Sequence, residues 1–281
     1  MNRFPLCLIL GLSGIFSFIG MAYASGERKL VIATEGYLRP YNFTRADGTL
    51  DGYEVELGAY LCKQMSVECT FVAQPFEGLI PGLLAGKFDA IMAGLTATSK
   101  RREVIDFSTP YSLTPQVFAV MKGGRYEKLP LTGEALQLAQ NRSISQAGLA
   151  ELRAAISGAT VGIVKGTIDD ALVKEYFKDV AEVREYRSGE EELLDLSTGR
   201  VDLVVNSRAF LNATSKLPGF EKLTMTGPYF LGGLLGGGVG VGLRKTDPEL
   251  LNMFNNAIHS ARDRGVIKRL SAKWFDFDVT P

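Results

Sequence analysis

The feature that most restricts the fold of this chain is a repeated alternation of short apolar runs with amphipathic helical patterns. Short runs rich in β-branched residues, separated by helices with one apolar face, are typical of βα units built on parallel sheet. The first series comprises predicted strands 29–33, 67–73 and 89–92 and predicted helices 53–65 and 78–84. The second series comprises predicted strands 160–164, 182–186 and 203–205, and predicted helices 169–177, 190–196 and one after Ser207. The repetition predicts an α/β protein with two lobes, each a sheet flanked by helices.

The segments between and after the two series suggest how the lobes are connected. A predicted strand, 116–121, precedes a polar stretch of low periodicity over residues 122–157, and strand-like stretches at 223–227 and 239–243 precede two predicted helices at 249–264 and 266–275. One lobe interrupted by another, joined by two crossing strands, is typical of proteins that close on a ligand by hinge bending. We therefore predict lobe one from residues 25–113 and 228–281, and lobe two from residues 114–227.

The N-terminal segment has the pattern of a secretory signal peptide. Arg3 precedes an apolar run over residues 4–21, and Ala22-Tyr23-Ala24 forms a small-x-small cleavage motif. An uncleaved anchor is the alternative, but the cleavage motif favours removal of residues 1–24. We expect a mature chain that begins at Ser25 and is exported to the periplasm.

Charge and hydropathy exclude two classes of partner. The chain has 31 Lys and Arg against 31 Asp and Glu, whereas a nucleic-acid-binding surface needs an excess of basic residues. Beyond the leader, no stretch reaches the length of a membrane span, including the glycine-rich residues 230–243. A water-soluble protein that binds a small molecule fits this composition.

Two cysteines remain in the mature chain, Cys62 and Cys69. In an exported protein such a pair favours a disulfide, here at a corner between a helix and a strand. A zinc half-site is the alternative, but the single histidine, His259, lies far away in the sequence. We predict the disulfide and no metal site.

Residues 90–111 contain the clearest candidate for ligand binding. A hydrophobic strand leads through a turn at Gly94 and Thr96 to a helix start that carries Arg101 in its first turn. Backbone N–H groups at a helix start favour an anion, and a guanidinium adds a bidentate pair, so the stretch suits an α-carboxylate. The alternative is a solvated basic run, because Lys100 and Arg102 flank this arginine. The pattern indicates an amino-acid-like ligand that is held without being chemically changed.

Several motifs spread over the mature chain together resemble a known family. They are TEGYLRPYNF (34–43), the segment Asp47–Leu57, residues 76–111, GIVKGTIDD (162–170), STGRVDLVV (197–205) and VGLRKTD with SAKWFDF (241–277). The chain resembles the polar-amino-acid family of periplasmic solute-binding proteins that serve ATP-binding-cassette importers, near the lysine/arginine/ornithine- and histidine-binding members. The cysteine pair also matches that group. Residues 34–36, 122–157, 174–188 and 273–281 further resemble the octopine- and nopaline-binding branch, whose ligands are opines.

The resemblance implies roles for individual residues. The family's arginine at the position of Arg101 pairs with the ligand's α-carboxylate, and Gly94 and Thr96 match positions that hold the α-amino group. On the opposite lobe, backbone N–H groups where a strand ends and a helix begins would take the carboxylate from the other side and couple binding to closure. The residues there are Lys165, Gly166 and Thr167.

Departures from the family pattern bear on the ligand. Ser207 occupies a place that is acidic in relatives binding arginine or lysine, and Lys165 stands where glutamine is usual. An aromatic position is Leu38 here, which leaves Tyr37 and Phe76 as candidate walls, and Glu35 would meet a cationic or hydroxyl-bearing end of the ligand. Loss of a carboxylate and gain of an ammonium disfavour a cationic free amino acid. This charge pattern predicts an opine, with sugar conjugates of glutamate or glutamine ahead of arginine-derived ones.

Three other interpretations remain. The first is a binding protein for a free polar amino acid such as glutamine, histidine or arginine. The second is a periplasmic dehydratase on the same fold, with Glu35, Asp169 or Asp170 as the acid, although the sequence has no Ser/His/Asp or Cys/His set, no phosphate loop and no dinucleotide motif in residues 232–242. The third is a sensory module that docks on a receptor. We expect a monomer without cofactor, partnered by an inner-membrane permease.

Overall fold

The structure is a computed structural model that describes Met1, residues 29–138 and residues 142–281. The predicted signal peptide and its cleavage site lie outside the described residues, apart from Met1. Among the described residues, no helix has the length and apolar character needed to span a membrane.

The described strands alternate with helices along most of the chain. The strands are β1 (Lys29–Thr34), β2 (Tyr37–Leu38), β3 (Asn42–Thr44), β4 (Leu50–Asp51), β5 (Glu68–Ala73), β6 (Ala90–Ile91), β7 (Asp106–Phe107), β8 (Gln116–Met121), β9 (Ala135–Gln137), β10 (Thr160–Val164), β11 (Glu182–Tyr186), β12 (Leu203–Ser207), β13 (Leu223–Leu231) and β14 (Gly242–Leu243). The helices are α1 (Tyr53–Gln64), α2 (Phe76–Leu84), α3 (Ser99–Arg102), α4 (Arg142–Ala155), α5 (Ile168–Tyr176), α6 (Gly189–Ser197), α7 (Arg208–Thr214), α8 (Pro248–Asp263) and α9 (Val266–Phe275), with a short 3₁₀ turn at Gly233–Leu235.

Two larger sheets define two lobes. The first has the strand order β5-β1-β6-β14-β7, with β1 parallel to β5 and β6, and β14 antiparallel to its neighbours. The second has the order β11-β10-β12-β8-β13-β9, with β10 parallel to β11 and β12. A small antiparallel sheet, β2-β3-β4, completes the described strands. The predicted two-lobed α/β architecture is confirmed.

Each sheet is packed on both faces, because alternate residues of its strands enter different cores. In β1, Ile32 lies in a core with α1, α8 and α9, whereas its neighbour Ala33 lies in a second core with α2. In β8, Phe118 packs against Phe177 and Phe230 in one core, whereas Val117 joins a separate core with α6 and α7. Burial on both faces explains why the strands are runs of apolar residues instead of alternating patterns.

The predicted disulfide is present. Cys62 of α1 and Cys69 of β5 are bonded, with their Cα atoms 6.1 Å apart. The bridge closes a loop with a sequence separation of 7, for which chain-entropy arguments give about 2.5 kcal/mol of stabilisation. It fixes the corner where α1 turns into β5.

The chain crosses between the lobes twice, and the two crossings run side by side. The N–H of Val239 donates to the carbonyl of Ser112 at 2.8 Å, and the N–H of Tyr111 donates to the carbonyl of Val239 at 2.9 Å. Gly238 has φ of +113°, and a Cβ there would lie 2.9 Å from the carbonyl oxygen of Ser112. The close pairing of the crossings therefore requires glycine at this position. β13 stays in the second sheet as far as Leu231, beyond the predicted lobe boundary at residue 228.

One long segment differs from its sequence-based description. Residues 122–157 have a polar composition, yet they contain β9 and α4. Five apolar residues of the segment are buried in the core of the second lobe: Tyr126, Leu129, Leu136, Leu152 and Ile156. The segment is therefore part of the second lobe and contributes to its core.

Candidate functional site

A cleft between the two lobes is the candidate site, with about 850 Å³ of free space, part of which is open to solvent. Predicted site residues that line it are Glu35, Phe76, Gly94, Thr96, Arg101, Thr167 and Ser207. Further lining residues that the sequence did not single out as ligand contacts include Gln116, Asp169, Asn206, Leu231 and Gly236. The cleft thus joins residues far apart in the sequence.

The turn at Gly94 is held by a buried carboxylate from α1. Gly94 has φ of +60°, and a Cβ there would lie 2.5 Å from Cδ2 of Leu38. Its N–H donates to Oε1 of Glu54 at 2.7 Å, and the same carboxylate accepts hydrogen bonds from the hydroxyl of Tyr111 and the side-chain amide of Asn42. Sequence reasoning missed Glu54, because nothing in the helical pattern of α1 distinguishes it from a surface acid.

Arg101 is positioned by the start of α3 and reaches both lobes. Thr98 caps the helix through a hydrogen bond from the N–H of Arg101 to its side-chain oxygen at 3.3 Å. The guanidinium donates through Nη1 to the carbonyl of Thr96 at 2.9 Å and through Nη2 to the carbonyl of Gly166, in the other lobe, at 3.2 Å. It also lies over the ring of Phe76, 5.5 Å from the centroid. Two of its five donors are used in these bonds, so donors remain for a ligand.

Burial lowers the pKa of Arg101, but the guanidinium keeps its proton at neutral pH. Desolvation lowers the pKa of the guanidinium to about 10, and the negative charge of Asp169 partly opposes this. Arg101 therefore stays cationic at neutral pH inside a cleft with little water, where an ion pair with a carboxylate is stronger than on the surface.

The opposite wall of the cleft lies where β10 meets α5. The sequence predicted that the backbone N–H groups there are free to bind the ligand, and in the structure they are not. The N–H of Lys165 donates to Tyr186, that of Gly166 to the carboxylate of Asp170, and that of Thr167 to the carbonyl of Val164. All three amides thus have acceptors within the chain. Gly166 contributes its carbonyl to the site, as the acceptor for Arg101.

Besides Gly166, which takes part only through its carbonyl, two predicted site residues do not line the cleft. The side chain of Lys165 is 59% exposed, and its Nζ lies 3.9 Å from Oε2 of Glu185. Tyr37 is 48% exposed, on the short strand β2. The charge argument in the sequence placed the ammonium of Lys165 inside the cleft, and the structure places it outside.

Two buried acids line the cleft, and both hold their protons more tightly than exposed acids do. Glu35 is 6% exposed and Asp169 is 5% exposed. Burial raises the pKa of Glu35 to about 7, with further contributions from the charges of Glu54 and Glu190. Burial also raises the pKa of Asp169 to about 8, although the charge of Arg101 opposes the shift. In the sequence Asp169 was considered only as the acid of an enzyme, whereas the structure places it in the cleft wall, two residues after Thr167.

Ser207 sits where β12 ends and caps α7. Its side-chain oxygen accepts the N–H of Phe210 at 3.3 Å, and its own N–H donates to the side chain of Asn206 at 2.8 Å. The side-chain amide of Asn206 in turn donates to Oε2 of the buried Glu192 at 3.1 Å. Within the described part of the chain, no cluster of three or more His, Cys, Asp or Glu side chains could hold a metal ion.

Comparisons with known proteins agree with this geometry. The model of the bacterial extracellular solute-binding proteins, family 3, matches residues 30–277. The octopine-binding periplasmic protein of Rhizobium meliloti is 39% identical over 96% of this chain and 97% of its own length. The histidine-binding periplasmic protein of Salmonella typhimurium is 33% identical over 98% of both chains. The L-arginine-binding protein of Pseudomonas aeruginosa is 32% identical over 94% of both chains.

Solved structures show the same fold. An ancestral arginine-binding protein bound to arginine superposes with a TM-score of 0.74 and 28% identity, covering 88% of this chain and 98% of that one. A periplasmic His/Glu/Gln/Arg/opine family-binding protein from Silicibacter pomeroyi, in complex with lysine, gives a TM-score of 0.71 and 29% identity over 90% and 99% of the two chains.

Proposed function

The chain belongs to family 3 of the bacterial extracellular solute-binding proteins, and from that membership we propose that its inter-lobe cleft captures an opine for uptake by an ATP-binding-cassette importer. Its curated relatives are named as periplasmic binding proteins for octopine, histidine and arginine, not as enzymes. A periplasmic protein that binds an amino acid or an opine is therefore the function that the family supports. The identity of the ligand and the delivery to a permease are the proposed steps.

The observation that carries the proposal is the position of Arg101. A charged, partly buried guanidinium lies between the lobes, with bonds to Thr96 on one side and Gly166 on the other. A ligand carboxylate that binds there contacts a group already shared by both lobes, so binding favours the closed arrangement. Gly94, Thr96 and Thr167 lie beside it and line the same space.

The charges around Arg101 favour a ligand that carries cationic as well as anionic groups. Glu35 and Asp169 are buried in the cleft wall, whereas Lys165 lies outside it. The preference for acidic sugar opines rested on Lys165 together with Ser207, and it loses the support of Lys165. An opine formed from arginine and a keto acid has two carboxylates, a secondary ammonium and a guanidinium, which suit one buried arginine and two buried acids. We therefore place arginine-derived opines ahead of sugar conjugates.

Calorimetric titration tests this proposal. Residues 25–281, freed of carried-over ligand by unfolding and refolding, are titrated with octopine, L-arginine, L-histidine, L-glutamine and a mannityl conjugate of glutamine. We expect octopine to bind at least about tenfold more tightly than the free amino acids, a difference of about 1.4 kcal/mol. Tighter binding of a free amino acid would contradict the opine assignment, and no binding by any of the five would contradict the function itself.

A further inference from the structure

Asp169 is a buried acid of the candidate site, and one of its two carboxylate oxygens has no hydrogen-bond partner among the described residues. It follows the first residue of α5, and Thr167, which caps that helix, accepts the N–H of Asp170 and not that of Asp169. The side chain of Asp169 is 5% exposed and lines the cleft. Among the described residues its Oδ1 has no hydrogen-bond partner. A buried carboxylate oxygen normally has one, so this atom needs an explanation.

The neighbouring acid at the same helix start has a cation beside it. Asp170 accepts the N–H of Gly166 at 2.9 Å and forms an ion pair with Lys174 at 2.7 Å. Its role is to fix the loop between β10 and α5. Asp169 has no corresponding cation in the described structure. The charge of Arg101 acts on it across the cleft, but no ion pair joins the two side chains.

A second buried acid lies close enough to Asp169 for the two to interact. Glu192 of α6 is fully buried, receives the side-chain amide of Asn206 on Oε2, and has no partner on Oε1 within the described ranges. Burial raises the pKa of Glu192 well above its usual value, and the charge of Asp169 adds to the shift. A cation beside Asp169 would therefore stabilise the ionised form of this acid pair.

We propose that Asp169 binds the ammonium of the ligand, so that the acid which recognises the amino group comes from the start of α5 and not from the end of β12. This assignment rests on the proposed function. Ser207, at the end of β12, is neutral, and its oxygen already accepts the N–H of Phe210. With a carboxylate on Arg101 and a primary or secondary ammonium on Asp169, the selected class comprises amino acids and opines with a basic nitrogen next to the carboxylate. N-acylated amino acids, whose nitrogen is neutral, are excluded.

The test compares ligands that differ only at that nitrogen. Calorimetry measures the affinities of wild-type protein and Asp169→Asn for octopine, for L-arginine, and for the analogue of L-arginine in which a hydroxyl replaces the α-amino group. Removing one member of a buried charge pair should weaken binding of octopine and L-arginine by about 30-fold or more. The hydroxy analogue should bind the wild-type protein weakly and change by less than about threefold in the variant, because the charge pair is absent in both.

Controls separate a local effect from a folding defect. Asp179→Asn removes an exposed acid beyond the other end of α5, where it pairs with Arg153, and should leave all three affinities unchanged. The thermal midpoint of unliganded Asp169→Asn should equal or exceed that of the wild type, since the substitution removes an unpaired buried acid. If Asp169→Asn does not fold, Asp169→Ser provides the same comparison.

The outcomes distinguish this inference from the function on which it rests. If the wild-type protein binds none of the amine-bearing probes, the proposed function fails and the assignment of Asp169 fails with it. If the wild type binds them and Asp169→Asn binds them equally well, only the assignment is overturned. An equal loss of affinity for octopine, L-arginine and the hydroxy analogue would also overturn it, because a general distortion of the cleft does not depend on the ligand nitrogen.

Discussion

At the scale of single residues, the site combines one partly buried cation with two buried acids. Arg101 was predictable, because a helix start after a small-residue turn is a local pattern that suits a carboxylate. Glu35, Phe76, Gly94, Thr96, Thr167 and Ser207 line the cleft as well. The role of Asp169 was not predictable, because an unpaired oxygen becomes visible only when the neighbours of the side chain are known.

Lys165 gives a prediction at this scale. Its Nζ is exposed and faces Glu185, and its backbone N–H is bonded within the second lobe. Lys165→Gln should therefore change the affinity for octopine and for L-arginine by less than about threefold, a range typical of exposed substitutions away from a binding site. Titration calorimetry of the variant checks this. A gain of tenfold or more for L-arginine would show that the ammonium acts in the cleft, as the sequence pattern had suggested.

At the scale of elements, most strands and helices followed from the sequence, and the exceptions have a common cause. Where both faces of a strand are buried, as in β1 or β10, the apolar run is continuous and easy to recognise. The sheet β2-β3-β4 has strands of two or three residues, too short to show a period. α4 contributes only a few side chains to the core. Elements with little buried surface carry little signal in their residues.

The hydrogen bonding of the loop before α5 was also not predictable from its local sequence. From the sequence, the amides of residues 165–167 were expected to face the ligand, as amides at a helix N-terminus commonly do. The hydrogen bonds to Tyr186, Asp170 and Val164 occupy them instead. Because these acceptors depend on how β11 and α5 pack around the loop, no local pattern could have revealed them.

At the scale of the whole molecule, the two lobes contribute opposite parts of one site. Arg101 and Glu35 belong to the first lobe, and Asp169 to the second. The acids face groups on several elements: Glu54 and Glu190 act on Glu35, while Arg101 and Asp170 act on Asp169. Bringing the lobes together removes these groups from water, which costs free energy. A ligand that pairs with their charges offsets that cost.

This arrangement predicts a pH dependence of stability without ligand. The folded-state pKa values of Glu35 and Asp169 are raised to about 7 and about 8, so both acids bind protons more tightly in the folded than in the unfolded chain. Their ionisation therefore lowers the free energy of unfolding as pH rises from about 4 to about 8. The double variant Glu35→Gln/Asp169→Asn should gain at least ~1 kcal/mol relative to wild type between pH 5 and pH 8.5. Urea denaturation of both proteins at both pH values measures this gain. If the difference in unfolding free energy between variant and wild type is the same at pH 5 and at pH 8.5, the burial of the two acids is contradicted.

The central claim is that Arg101 binds the carboxylate of an amino-acid-like ligand. The most direct measurement is calorimetric titration of octopine into wild-type protein, Arg101→Ala and Arg102→Ala. Arg102 is the matched control, because it is adjacent and exposed and its guanidinium lies over Phe107 instead of in the cleft. Arg101→Ala should lose about 2–5 kcal/mol of binding free energy, while Arg102→Ala binds like the wild type. An affinity of Arg101→Ala equal to that of the wild type would contradict the account.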